Sequence, residues 1–261
     1  MNLGFQGKNA LVIASSQGLG KAIAQKLAAQ GVNVMISSRD QEKLKAVKKE
    51  LELSSKGKIE FYSCNIKSPN EIKLLIETTV DAFGSIDFLV NNAGGPPAGT
   101  FEEMTDDDWQ HAFELNLLSY IRIMREILPH MKNNGGKIVN IASSSVKEPI
   151  PGLILSNTFR TGIVGLTKTL ASEFAPYNIL INTVAPGRIA TERVAFLDAD
   201  AADRQGMTKE EIEEKMKKTI PLGRYGEPNE FANYVSFLLS DANSYMTGQT
   251  LLIDGGMLKS I

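Results

Sequence analysis

Cysteine occurs once in 261 residues, as Cys64, so no disulfide can close within the chain. Only two histidines, His111 and His130, stand beside it, which falls short of the common zinc ligand sets; no metal site is expected. No run of about 18 apolar residues is present to span a bilayer, and the N-terminus lacks the apolar core of a signal peptide. A membrane partner is therefore not expected, and the expected address is cytoplasmic. Charge of one sign is also scarce. Twenty-eight basic residues against thirty acidic ones leave a net charge of −2, too weak a field to steer nucleic acid. No linker, repeat or low-complexity stretch divides the chain. What is present is 43% hydrophobic residues, enough for one substantial core over residues 1–261.

Strand-like and helix-like stretches alternate, the pattern of an α/β, doubly wound Rossmann domain with a parallel sheet of about seven strands. Apolar runs at 9–14, 32–37, 59–64, 86–90, 137–142, 179–185 and 250–253 read as strands. Between them, 19–30, 40–53, 68–83, 105–133, 156–175 and 228–240 read as helices, with Asp40 in a capping position. The stretch 188–226 lacks a strand and carries one charged helical segment, 208–218; its length marks it as a substrate lid. Ligands of such folds bind at the carboxyl ends of the strands.

The first chemical signal is Ser16-Gln17-Gly18-Leu19-Gly20 between the first strand and first helix. Glycines there let the backbone approach a pyrophosphate seated on a helix N-terminus, although they also simply ease a strand-to-helix turn. Further along come Asn91-Asn92-Ala93-Gly94, Asn116, Ser143, Pro186-Gly187 and Thr247-Gly248 with Asp254-Gly255-Gly256. This ordered series resembles the short-chain dehydrogenase/reductase family over essentially the whole chain, and its 3-oxoacyl-carrier-protein reductase and glucose dehydrogenase members most.

The resemblance implies a dinucleotide site formed by Ala14, Ser16, Gln17, Gly18, Leu19, Gly20, Ser38, Arg39, Asn65, Ile66, Asn92, Ala93, Gly94, Arg160, Pro186, Gly187, Ile189 and Thr191. Ala14 stands where the family has its first glycine. Its methyl fits if φ is negative and crowds the turn if φ is positive. At the end of the second strand, Ser38 and Arg39 replace the acidic residue that holds a ribose 2′-hydroxyl in NAD enzymes. Arg39 offers a planar cation to a 2′-phosphate, so NADP(H) is preferred, with NAD(H) possible. Asn65 is expected beside the adenine.

The family reduces carbonyls with a tyrosine as proton donor, a lysine four residues later, an orienting serine and a helix asparagine. Here the corresponding positions are Ser156, Arg160, Ser143 and Asn116. None of the six tyrosines is followed four residues later by lysine; Tyr120, for example, is followed by Met124. A serine hydroxyl is a weaker acid than a phenol and reaches less far, and a guanidinium does not surrender its proton. Two readings follow. One is an atypical oxidoreductase moving a hydride between NADP(H) and a small-molecule carbonyl or alcohol, with Ser143, Ser156, Arg160 and water managing the proton. The other is a catalytically silent NADP(H)-binding protein with a sensing or structural role. The helices 105–133 and 156–175 resemble the family's dimer surfaces, so a homotetramer or homodimer is expected.

Overall fold

The computed structural model describes residues 3–260. Strands β1 (Asn9–Ile13), β2 (Asn33–Ser38), β3 (Ile59–Ser63), β4 (Phe88–Asn91), β5 (Gly136–Ile141), β6 (Ile179–Pro186) and β7 (Thr250–Ile253) form one sheet in the order β3-β2-β1-β4-β5-β6-β7. All pairings are parallel, as the alternating sequence predicts. The chain winds outward from β1 to β3, then crosses back to place β4 against β1. That reversal opens a crevice at the carboxyl ends of β1 and β4.

Strand β1 shows why these segments read as continuous apolar runs. Ala10 and Val12 face one helical layer and Leu11 and Ile13 the other, and none is more than 1% exposed. On the first side lie α1 (Gly18–Ala29), α2 (Gln41–Glu52) and α9 (Pro228–Leu239), packing Ile23, Leu27, Leu44, Phe231 and Val235 against the sheet. On the second lie α3 (Pro69–Phe83), α5 (Ser119–Met131) and α6 (Ile154–Phe174), with Ile72, Leu75, Ile123, Ile127 and Ile163. The caps are legible in sequence: Asp40 Oδ1 accepts from the Glu42 and Lys43 N–H groups, and Ser68 precedes Pro69 at the start of α3. A buried polar ladder ties the centre together. Asn91 donates to Asn140 at 2.9 Å, Asn140 to Thr167 at 2.9 Å, and Thr167 pairs with Thr183 at 2.8 Å.

Two elements depart from the sequence expectation. The helix read over 105–133 is α4 (Asp106–Phe113), a π-helical turn over Glu114–Leu118, and α5. The turn is a local insertion inside an otherwise helical pattern, which apolar periodicity does not mark, and it carries the buried Asn116. The second departure lies in 188–226, where α7 (Glu192–Gln205) precedes the expected charged helix, α8 (Lys209–Lys217). Helix α7 buries only Asp198 and Ala202, so it carries almost no apolar stripe to betray it. Its caps could have done so: Thr191 accepts from Val194 N–H, and Gly206 closes the helix at φ +64°. Helix α6 also begins two residues early, which places Ser156 in its first turn.

Candidate functional site

The turn between β1 and α1 combines left-handed backbone with bonds from two polar side chains. Ala14 has φ +50°, the left-handed region, so the crowded alternative for its methyl is the one realised. Gly18 follows at φ +56°, and a Cβ on Gly20 would lie 2.3 Å from the Ala14 carbonyl oxygen. Gly20 is thus needed for close packing inside the turn, and it does not face the cavity described below. Three bonds hold the turn: Ser15 Oγ donates to Val12 O at 2.7 Å, Ser15 N–H to Ser37 O at 3.0 Å, and Asn92 Nδ2 to Ala14 O at 3.2 Å. No side chain caps α1, because Gln17 makes no capping bond, so its first N–H groups open outward.

A cavity of about 900 Å³ runs from this turn across the carboxyl ends of the strands. Its first end is walled by Ala14, Ser16, Gln17, Gly18 and Leu19, with Ser38 and Arg39 beyond β2 and Ile66 beyond β3. Arg39 is exposed and no carboxylate is bonded to its guanidinium among the described residues. Lys43, which the sequence reading missed, joins it from the first turn of α2 and lies 3.4 Å from Gln17 Oε1. Asn65 takes a local partner. Its Oδ1 accepts from Lys67 N–H at 3.2 Å, which closes a local turn, and Asn65 lies outside the cavity wall. Cys64 lines the wall instead, its thiol pushed up to about 12 by burial, with Glu71 adding to the effect.

The other end is walled by Asn92, Ala93 and Gly94 after β4, Ser143 after β5, Ser156 and Arg160 on α6, and Pro186, Gly187, Ile189 and Thr191 after β6. Ser143 Oγ accepts from Ser145 N–H at 3.2 Å, which leaves its hydroxyl proton free to donate. The Ser156 hydroxyl has no bond within the protein among the described residues. Arg160, one helical turn later, is 6% exposed. Its Nη1 donates to Ile141 O at 3.0 Å and Ala142 O at 2.9 Å, and its Nη2 to Ala93 O at 3.3 Å. The guanidinium therefore caps the ends of β4 and β5. The Ile141 carbonyl also accepts from Tyr120 Oη at 2.9 Å. Burial raises the pKa of that phenol, against the opposing pull of Arg160. Asn116 stands behind the wall: the π turn aims its Nδ2 at Gly94 O, 2.8 Å away, and leaves Oδ1 buried without a partner among the described residues.

Helix α7 forms the outer wall through Glu192, Arg193, Val194, Phe196 and Leu197, none singled out by the sequence. It is fastened at its root by an ion pair between Arg188 and Asp198, and Tyr225 Oη donates to the second oxygen of that buried carboxylate at 2.9 Å. Arg193 Nη2 donates across the cavity mouth to Pro96 O at 2.6 Å.

Comparison with known proteins now carries the assignment. A family model described as enoyl-(acyl carrier protein) reductase matches residues 13–258. The chain belongs to the short-chain dehydrogenase/reductase family. It is 38% identical over 258 residues to the 3-oxoacyl-[acyl-carrier-protein] reductase FabG of Aquifex aeolicus, covering 98% of this chain and 100% of that protein. Human dehydrogenase/reductase SDR family member 4 is 37% identical over 254 residues, covering 95% and 87% of the two chains. Among solved structures, L-sorbose reductase from Gluconobacter frateurii, complexed with NADPH and L-sorbose, superposes with TM-score 0.94 at 29% identity over 100% of both chains. Actinorhodin polyketide ketoreductase with NADPH superposes with TM-score 0.92 at 31% identity, over 96% and 97% of the chains.

Proposed function

We propose that this short-chain dehydrogenase/reductase interconverts a small-molecule carbonyl and its alcohol with NADP(H). The observation that carries this reading is the single cavity that joins the β1–α1 turn and Arg39 at one end to Ser143, Ser156 and Arg160 at the other. The residues present fit a dinucleotide. Gly18 takes the turn along the cavity wall at φ +56°, and the N-terminus of α1 is uncapped, open to a pyrophosphate. Arg39 and Lys43 supply charge for a 2′-phosphate. The likeness to two NADPH-bound reductases supports the same choice.

When bound, the dinucleotide supplies the hydride. In this reading Ser143 donates a hydrogen bond to the carbonyl oxygen, and Arg160 holds a fixed positive charge near the oxygen as it becomes anionic. Arg160 keeps its proton throughout, so the proton comes through Ser156 and water, with Asn116 Oδ1 as a free acceptor behind the wall. Helix α7 and the rest of 188–226 cover the substrate end. A cytoplasmic homotetramer or homodimer completes the proposal, with Phe101 and the Trp109–Phe159 ring contact on α4 and α6 as candidate packing surface.

The deciding experiment is a screen of NADPH oxidation and NADP reduction across ketones, oxoacyl thioesters, sugars and polyols. Turnover on one class, lost in Ser143→Ala, supports the reading. Tight NADPH binding with no turnover on any class favours the silent, sensing alternative, for which the Arg160 guanidinium, bonded to three backbone carbonyls, is the specific observation.

A further inference from the structure

Charge is unevenly compensated inside the cavity. Its wall includes the cations Arg39, Lys43, Arg160 and Arg193 but only two carboxylates, Asp40 and Glu192. Asp40 is spent on the cap of α2, at the far end. At the Ser143 end, Arg160 is offset by the three backbone carbonyls it bonds, whereas Arg193 has only the carbonyl of Pro96 as a hydrogen-bond partner among the described residues. A guanidinium has five N–H groups, so most of those on Arg193 remain uncommitted among the described residues. Asp200, the acid that attracts Arg193, is already bridged to Arg204 at 3.1 Å. Burial, with Arg160 as a second positive neighbour, pulls the Arg193 pKa down.

The local structure accommodates this unpaired cation. Gly95 is bare beneath it: a Cβ there would stand 2.8 Å from Arg193 Nε and Nη2. The Phe196 ring lies 5.5 Å from the guanidinium carbon, and Val194, Leu197 and Leu153 continue an apolar wall. A partly buried guanidinium with free N–H groups, lining the same cavity as Ser143 and Arg160 and flanked by apolar side chains, is the arrangement that recognises an organic acid.

We propose that Arg193 is a specificity residue that binds the acid group of the substrate, so that the carbonyl or alcohol compound taken by this site carries a carboxylate on an apolar body. This rests on the reading of the cavity as a reductase site, and the two can fail separately. The test is calorimetric titration, with and without saturating NADPH, using matched acids and amides: benzoate and benzamide, phenylacetate and phenylacetamide, hexanoate and hexanamide. At least one acid is expected to bind about tenfold more tightly than its amide, the scale of one charge-assisted hydrogen bond. Arg193→Met should reduce that preference to within about twofold and Arg193→Lys should keep part of it, while the Kd for NADPH stays within about threefold in both. Three results overturn the proposal: no acid preference in any pair, a preference that survives Arg193→Met, or a larger loss of NADPH affinity in Arg193→Met, which would give the side chain to the cofactor. Acid preference in a protein that does not bind NADPH would uphold the anion site and remove the reductase reading instead.

Discussion

The two ends of the cavity use arginine in opposite ways. At the β1–α1 end Arg39 stands exposed with no acid bonded to it among the described residues, and the turn beside it carries two glycines. At the β4–β5 end Arg160 is buried and bonded to Ile141, Ala142 and Ala93, so it is part of the frame before any ligand arrives. In the proposed reading the exposed guanidinium is left for a ligand, whereas the buried one is already committed to the frame. A buried cation that satisfies three strand-end carbonyls cannot be removed without exposing those acceptors, whereas an exposed one can.

That contrast gives the largest expected effect. Arg160→Ala should lose about 4 kcal/mol of folding stability, since hydrogen bonds to a charged group contribute roughly 1.5 to 3 kcal/mol each and water from the cavity recovers some of the loss. Arg160→Lys, with a point charge in place of a planar fork, should recover only part. Urea unfolding measures both. A loss under about 1 kcal/mol in Arg160→Ala would break the comparison, because Arg160 would then be as dispensable to the frame as Arg39.

Ser143→Ala comes next. It should cost about 2 to 4 kcal/mol of transition-state stabilisation, read as a fall of roughly thirtyfold to a thousandfold in kcat/KM. Its folding stability and NADPH affinity should stay near those of the parent, because the Ser143 side chain bonds only the neighbouring Ser145 N–H among the described residues. A protein whose turnover is indifferent to both Ser143→Ala and Arg160→Ala would have its chemistry elsewhere. At the opposite end, Arg39→Ala should weaken NADPH binding by about 1.5 to 3 kcal/mol and leave NADH binding unchanged, because only a 2′-phosphate gains the charged bond. Nicotinamide fluorescence titration measures it; equal losses for the two nucleotides would show that Arg39 contributes only general charge.

Much of this was legible in the chain because it depends on local rules. The parallel sheet follows from doubly buried strands such as β1, and the Asp40 cap and the Gly18-Leu19-Gly20 turn have fixed positions in sequence. Arg39, Ser143, Ser156 and Arg160 all reach the one cavity. What stayed hidden depends on long-range contact. Nothing near Arg160 in sequence announces that its donors go to strands 18 to 67 residues away. Asn65 turns its Oδ1 to Lys67 N–H, two residues on, a local bond that its place in the sequence did not announce. Helix α7 escaped because its wall on the cavity is held by Arg188, Asp198 and Arg193 rather than by an apolar stripe.

The smallest expected effect concerns strain at the first end. Ala14 sits at φ +50°, which costs an L-residue about 1 to 2 kcal/mol, and glycine would relieve it. Glycine also frees the unfolded chain, which returns about 0.4 to 1 kcal/mol of the gain. The net expectation for Ala14→Gly is a rise of about 0.5 to 1 kcal/mol in stability, measured by urea unfolding. The turn should keep its shape, since Asn92 Nδ2 still holds the carbonyl of residue 14 and Gly20 still packs against it. NADPH affinity should therefore move by no more than about twofold. A loss of stability would mean that the methyl contributes packing beyond its strain.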